Sequence, residues 1–175
     1  MRKISLLLLL FIACESSKNS SNFDFETRFE KSNGLETATY EEVIQFYLEL
    51  AKAYPEIAIQ SVGETDSGKP LHLVTFNPEA EFNFKNIRKN KRTLLINNGI
   101  HPGEPDGIDA TMMLFRDLAN GTLKQPKNTV LTTIPIYNVG GSLNRNTSSR
   151  TNQNGPKSYG FRGNARNYDL NRDFI

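Results

Sequence analysis

A strand, a helix and a second strand follow one another between residues 93 and 137, and this succession limits the possible folds most. Thr93–Asn98 carries an apolar run that predicts a buried, central strand. Asp106–Ala119 has helical periodicity, with acidic residues in its first turn. Val130–Tyr137 predicts another buried strand. Together these segments predict a right-handed βαβ unit, in which the two strands are parallel.

Further elements are predicted on both sides of this unit. Thr39 and Glu42 form a capping-box pattern, and apolar residues at helical spacing follow it as far as Pro55, which predicts a helix. The other segments are predicted as the two strands of a hairpin, Ile57–Glu64 and Leu71–Phe76, a connecting loop, Glu79–Arg92, and a long irregular segment, Asn138–Asn167. A loop of that length is uncommon in a compact domain unless it has a function.

The first fourteen residues resemble the export signal of a bacterial lipoprotein. Arg2 and Lys3 precede an apolar stretch that ends at Ala13, which is shorter than the ~20 residues of a membrane-spanning helix. Cys14 is the only cysteine and would carry the lipid on the mature protein. We therefore expect a signal peptide at residues 1–13, a flexible tether and N-terminal segment at 14–35, and a membrane-anchored lipoprotein facing the periplasm or the cell surface. The alternative is an ordinary secretory signal that happens to contain a cysteine.

Composition narrows the class of partner. The 175 residues are 37% hydrophobic and 23% charged, as in a soluble domain with its own core. The net charge of +2 is close to balance and gives no reason to expect a nucleic-acid partner.

The most informative polar motif is His101-Pro-Gly-Glu104, which follows the first strand of the βαβ unit. A neutral imidazole and a carboxylate three residues apart on a loop can both turn onto one ion, and catalytic Zn²⁺ accepts these ligands while keeping a position open for water. Taken alone, the pair is equally compatible with a loop histidine on the surface and a charge at a helix N-terminus. His72, the other histidine, lies within a predicted strand and is interpreted as structural.

A second motif lies near the end of the sequence, at Asp169-Leu-Asn171-Arg172. A guanidinium is planar and permanently charged, so Arg172 can bind a carboxylate through two parallel hydrogen bonds. Asn171 can add a neutral donor to the same group. Alone, this pair is also compatible with an ordinary polar surface.

The segments NNGIHPGEPDGIDA, IPIYNVGG and FRGNARNYDLNRDF occur in that order, and together they resemble the carboxypeptidase A-like zinc metallopeptidases over residues 39–175. The resemblance implies an α/β fold with a mixed, mostly parallel sheet flanked by helices, incomplete at its C-terminus, over residues 36–175. It also implies one Zn²⁺ ion and a peptide substrate with a free C-terminal carboxylate. The resemblance implies that His101 and Glu104 are metal ligands and that the Asp169 carboxylate orients His101. It implies that Asn171 and Arg172 bind the substrate carboxylate. It also implies that Arg162 polarises the scissile carbonyl, with Arg150 and Arg166 as nearby competitors.

The sequence departs from the family in what it lacks. No histidine follows Glu104, so the family's third zinc ligand has no counterpart, and neither have its general-base glutamate and its substrate-covering tyrosine. Gly103 stands where digestive members carry an arginine. We therefore expect a fragment of a zinc metallocarboxypeptidase, inactive by itself, rather than a defective homologue. Two alternatives remain open: an N-acyl amino acid deacylase of related fold, and a non-catalytic surface lipoprotein that binds carboxylates.

Overall fold

The computed structural model describes residues 22–172, so the predicted signal peptide, Cys14 and the predicted tether as far as residue 21 lie outside the described residues. The described elements, in chain order, are α1 Arg28–Lys31, α2 Tyr40–Ala53, β1 Ile57–Glu64, β2 Pro70–Phe76, α3 Phe84–Asn90, β3 Arg92–Asn97, α4 Asp106–Ala119, β4 Thr129–Ile134 and α5 Val139–Leu143. A short 3-10 turn at Leu170–Arg172 follows. No helix among residues 22–172 is long and apolar enough to cross a bilayer.

The four strands of the described residues form one mixed sheet in the order β1-β2-β4-β3. β1 and β2 are the predicted antiparallel hairpin, and β2 also pairs antiparallel with β4. β3 and β4 are parallel neighbours joined through α4, which confirms the βαβ unit. The α/β fold with a mixed sheet is confirmed. The sheet is not mostly parallel, however, because two of the three strand pairings in the described part are antiparallel.

The prediction of a buried, central strand at Thr93–Asn98 is wrong. β3 lies at the edge of the described sheet, and Leu94 and Leu95 keep 52% and 53% of their surface exposed. Successive residues of a strand point to opposite faces, so both faces of β3 are open. The apolar run indicates side chains that favour burial, but no described element covers them.

The core lies where α2 and α4 pack on the sheet. Thr39 caps α2, and Glu42 completes the predicted capping box. The Tyr47 ring of α2 meets the Phe115 ring of α4 edge-on at 5.9 Å between centroids. Phe115 in turn contacts Phe76 of β2 at 6.4 Å. These three rings are completely buried and join both helices to the sheet.

Two segments that were predicted to be irregular contain helices. The predicted loop Glu79–Arg92 includes α3, which begins at the side-chain cap of Asn83 and buries Ile87. The predicted irregular segment Asn138–Asn167 begins with α5, which Asn138 caps. Both helices are short and lack a repeated apolar stripe, so their side-chain caps and tertiary packing stabilise them.

The N-terminal segment docks on this body through aromatic and charged contacts. Phe25 packs edge-on against Phe23 and Phe46, at 5.0 and 5.7 Å between centroids. Arg116 of α4 binds both carboxylate oxygens of Glu30, at 2.7 and 3.0 Å. Phe23 and Phe25 therefore pack against the core, so this part of the predicted N-terminal segment is anchored on the body.

Candidate active site

The two polar motifs meet beyond the ends of β3 and β4. The chain continues the pairing of these strands, since the Tyr137 amide donates to Asn98 O and the Asn138 amide to Gly99 O. The Asn138 side chain then links the two motif-bearing loops, because its Nδ2 donates to Ile100 O at 3.3 Å and to Arg162 O at 3.0 Å. One buried amide thus connects the His101 loop with the segment that leads to Asp169.

Glycines allow these loops to approach each other closely. A Cβ at Gly160 would lie 2.5 Å from Pro102 Cβ, and a Cβ at Gly141 would lie 2.5 Å from Phe161 O. Both separations are well inside van der Waals contact. The absence of side chains at these positions brings the segment 160–165 against α5 and the His101 loop.

His101 is buried, and Asp169 holds its ring. The Nε2 atom lies 2.8 Å from Asp169 Oδ1, across 68 residues of sequence. The hydrogen bond to His101, with further ones from Arg162 and the Asn171 amide, lowers the pKa of Asp169 to about 2. An ionised carboxylate only accepts hydrogen bonds, so the His101 ring donates from Nε2 in this contact. The lone pair of Nδ1 is then available to a metal.

Glu104 lies on the Nδ1 side of the ring. Its Oε1 is 3.5 Å from His101 Nδ1. Two tetrahedral zinc ligands at bond lengths of ~2.0–2.2 Å lie about 3.4 Å apart, so this pair fits one zinc ion. Among residues 22–172, no group of three or more His, Cys, Asp or Glu side chains could hold a metal. The described residues thus offer two ligands to an ion that usually takes three.

Two arginines reach these carboxylates. Arg162 Nε donates to Asp169 Oδ2 at 2.8 Å, on the oxygen that His101 leaves free. Arg150 Nη1 lies 2.7 Å from Glu104 Oε1. Both arginines line one open groove of about 380 Å³, together with Gln153 and Phe161. The contact between Arg150 and Glu104 had no signal in the sequence, because no motif spacing relates these two residues.

The predicted carboxylate-binding pair lies directly beside Asp169. The Asn171 backbone amide donates to Asp169 Oδ1 at 3.0 Å. Arg172 Nη1 donates to Asn171 O at 3.1 Å, and both residues are exposed. The fixed backbone of the 3-10 turn ties this pair to the His101 site, while their exposed side chains are accessible to a ligand.

A larger cavity of about 740 Å³ lies between the N-terminal segment and α2, and none of the predicted site residues lines it. Its rim consists largely of ion pairs such as those between Arg28 and Glu36 and between Lys31 and Asp24. The smaller, open groove is lined by Arg162, the predicted carbonyl-polarising residue, and by its competitor Arg150.

Comparison with known proteins agrees with this geometry. The family model for zinc carboxypeptidases matches residues 43–175. The fold is similar to a metallo-carboxypeptidase from Burkholderia cenocepacia, with a TM-score of 0.56 and 21% identity over 78% of this chain and 33% of that one. It is also similar to carboxypeptidase A from Helicoverpa armigera, with a TM-score of 0.55 and 19% identity over 75% of this chain and 29% of that one. No curated protein sequence matches.

The chain spans about a third of the length of the carboxypeptidase structures that it matches. Those structures therefore share the architecture of its β-sheet and helices, while most of their own residues have no equivalent here. The family match covers more than half of the chain and includes both the His101 and the Asp169 motifs. The chain belongs to the zinc carboxypeptidase family.

Proposed function

We propose that this chain carries part of the active site of a zinc-dependent metallocarboxypeptidase, which removes C-terminal residues from peptides. The observation that supports this most is the placement of His101 between Asp169 on Nε2 and Glu104 on Nδ1. A ring held on one side and facing a carboxylate on the other is the usual environment of a metal-binding histidine. The third ligand and the general base would come from a part of the protein outside this chain.

In this proposal His101 and Glu104 hold the metal, and Asp169 fixes the orientation and tautomer of His101. Zinc, when bound, would activate a water molecule and polarise the scissile carbonyl. Arg172 and Asn171 would bind the terminal carboxylate of the peptide, Arg172 through its planar guanidinium and Asn171 through its amide. Arg162 would stabilise negative charge on the carbonyl oxygen from within the groove, with Arg150 as the competing candidate.

The proposal predicts selective binding of free chain ends. A short peptide with a free C-terminal carboxylate should bind in the presence of zinc, and the same peptide with a C-terminal amide should bind roughly tenfold more weakly, as expected for a lost charge-assisted pair. Isothermal titration calorimetry measures both affinities. Arg172→Gln should remove the difference between the two peptides. Lys124→Gln, a change in the turn after α4, is the matched control and should preserve the difference.

Other results would contradict this proposal or favour one of its alternatives. Equal affinity for acid and amide peptides would contradict the role of Arg172. Preference for N-acetyl amino acids over peptides would favour a deacylase, and carboxylate binding that ignores both zinc and His101→Ala would favour a non-catalytic binder. Peptide hydrolysis by this chain alone would contradict the need for a third ligand.

We also propose that Cys14 carries a lipid anchor, which would place the domain at a membrane surface facing the periplasm or the cell exterior. This rests on the basic and apolar pattern that precedes Cys14. A Cys14→Ser variant, expressed in a bacterial host with lipoprotein processing, should move from the membrane fraction to the soluble one. Retention of that variant in the membrane fraction would contradict lipid anchoring at this residue.

A further inference from the structure

Within residues 22–172, Arg150 carries the positive charge that contacts a predicted metal ligand. Its Nη1 lies 2.7 Å from Glu104 Oε1, the same oxygen that faces His101 Nδ1 at 3.5 Å. Among the ion pairs of the described residues, this is the contact that places a guanidinium on a predicted zinc ligand. Arg162, by contrast, lies against Asp169, on the far side of the histidine ring.

The path of Arg150 depends on Gly103. A Cβ at residue 103 would lie 2.6 Å from Arg150 Nε and 2.7 Å from Gly160 O. The arginine side chain therefore crosses directly over the backbone between the two predicted ligands. Its own backbone is fixed as well, because the Arg150 amide donates to the hydroxyl of the buried Tyr159 at 3.2 Å. Gln153 Nε2 also binds Gly103 O at 2.9 Å.

The guanidinium is incompletely satisfied in this position. Arg150 keeps 20% of its side chain exposed, and its Nη2 is buried without a hydrogen-bond partner among the described residues. A buried donor without an acceptor carries a desolvation cost. The ion pair with Glu104 therefore holds Arg150 in place while one donor remains unfilled, and this lowers the cost of displacing the guanidinium.

We propose that Arg150 is the resident counter-ion of Glu104, and that zinc must displace its guanidinium to use Glu104 together with His101. This inference rests on the proposed zinc site. The guanidinium and the metal compete for Oε1 and repel each other at this distance. Arg150 therefore weakens metal binding, and metal binding releases Arg150, with its unfilled donor, into the groove that it shares with Arg162.

The test follows zinc binding by NMR at defined side chains of the full chain. Because the chain has two histidines, the ring nitrogens of His101 can be assigned, and His72 serves as an internal reference. The zinc midpoint is the free zinc concentration at which a signal has made half of its total shift. A weak chelator buffers free zinc, so binding elsewhere does not change this midpoint. In the wild type, the Nδ1 signal of His101 and the Nε–Hε signal of Arg150 should move with the same zinc midpoint.

Arg150→Gln should lower the zinc midpoint at His101 by roughly three- to tenfold, the range expected for loss of a partly exposed ion pair and of the repulsion between the two cations. Arg150→Lys retains the charge and should stay closer to the wild-type midpoint than to that of the glutamine variant. Arg88→Gln, on the exposed side of α3, removes one charge elsewhere and should leave the midpoint unchanged.

The possible outcomes distinguish failure of the zinc site from failure of the counter-ion proposal. A wild-type His101 ring that does not respond even to a large excess of zinc, where two ligands should still bind the ion weakly, overturns the zinc site and, with it, the role of Arg150. If His101 responds but Arg150→Gln binds zinc equally or more weakly, the counter-ion proposal alone is overturned. Should that variant fail to fold, the wild-type titration still decides, because an Arg150 signal that stays fixed while His101 shifts would refute displacement.

Discussion

At the scale of the residue, the hydroxyl of Tyr47 is an uncompensated polar group in the core. The side chain is completely buried, and its hydroxyl has no hydrogen-bond partner among the described residues. Burial raises the pKa of this phenol, so it stays protonated. Tyr47→Phe removes the desolvated group and should raise the free energy of unfolding by about 1 kcal/mol.

Tyr40 provides the matched control for this prediction. Its hydroxyl donates to Pro70 O at 2.9 Å, so Tyr40→Phe should lower the free energy of unfolding by about 1 kcal/mol. Urea denaturation monitored by circular dichroism measures both changes. Equal losses in the two variants would mean that Tyr47 has a partner.

Asp109 makes the stability of the domain depend on pH. The sequence suggested a simple helix N-terminal charge, but the carboxylate is buried and accepts a hydrogen bond from Thr37 Oγ1 at 2.5 Å. Burial raises the pKa of Asp109 to about 6. Since the folded state holds this proton more tightly than the unfolded chain, the contribution to stability is present below about pH 4 and is lost as the pH rises through about 6.

Asp109→Asn should remove this pH dependence. Between about pH 4 and pH 8, the free energy of unfolding of the wild type should fall by up to about 3 kcal/mol relative to that of the variant, the equivalent of two pKa units. Burial lowers the pKa of His72, which acts in the opposite direction, but both proteins contain His72 and its effect cancels in the difference. Parallel profiles of unfolding free energy against pH would contradict the prediction.

At the scale of the element, the short helix α5 positions the loop that carries Asp169. A Cβ at Gly141 would lie 2.5 Å from Phe161 O and 2.7 Å from Gly163 O. Gly141→Ala should therefore push this loop outward, cost about 2 kcal/mol of stability as overpacking does, and weaken the hydrogen bond between Asp169 and His101. The proton signal of His101 Nε2–H and thermal unfolding measure the two effects.

Gly155 provides the comparison, because a Cβ there meets nothing within 4 Å. Gly155→Ala should leave the His101 signal unchanged and alter stability by less than about 0.5 kcal/mol. If the two alanine variants behave alike, the close approach of α5 and the 160–165 segment does not control the site.

At the scale of the whole molecule, the open edge of the sheet is the feature that most favours self-association. β3 has one neighbour within the described sheet, and Leu94 and Leu95 lie exposed on its two faces. An apolar strand edge of this kind pairs readily with other chains. We expect concentration-dependent self-association in analytical ultracentrifugation, and a marked reduction in a Leu94→Lys, Leu95→Lys double variant.

Leu123→Lys is the control for that experiment. Leu123 is 42% exposed but lies in the turn after α4, outside the sheet. The same substitution there should leave self-association as it is in the wild type. If Leu123→Lys reduces association as much as the β3 variant does, general surface hydrophobicity is responsible rather than the strand edge.

Sequence alone determined the features that depend on neighbours along the chain. The capping box of Thr39 and Glu42, the bounds of α4 and the βαβ order follow from local hydrogen bonding and periodicity, so they could be predicted. The motif at His101 and the motif at Asp169 could also be recognised as patterns of side-chain chemistry. α3 was missed because Asn83 and Ile87 stabilise it without a repeated apolar stripe.

Tertiary structure decided what meets across the chain and what stays exposed. The contact between Arg150 and Glu104 spans 46 residues and depends on the missing side chain of Gly103. The burial of Asp109 likewise depends on Thr37, 72 residues away. The exposure of Leu94 and Leu95 follows from the edge position of β3, where no described element covers either face. Local sequence specifies the conformational preference of a segment and its affinity for water, but the contacts that satisfy or frustrate that preference exist only in the folded chain.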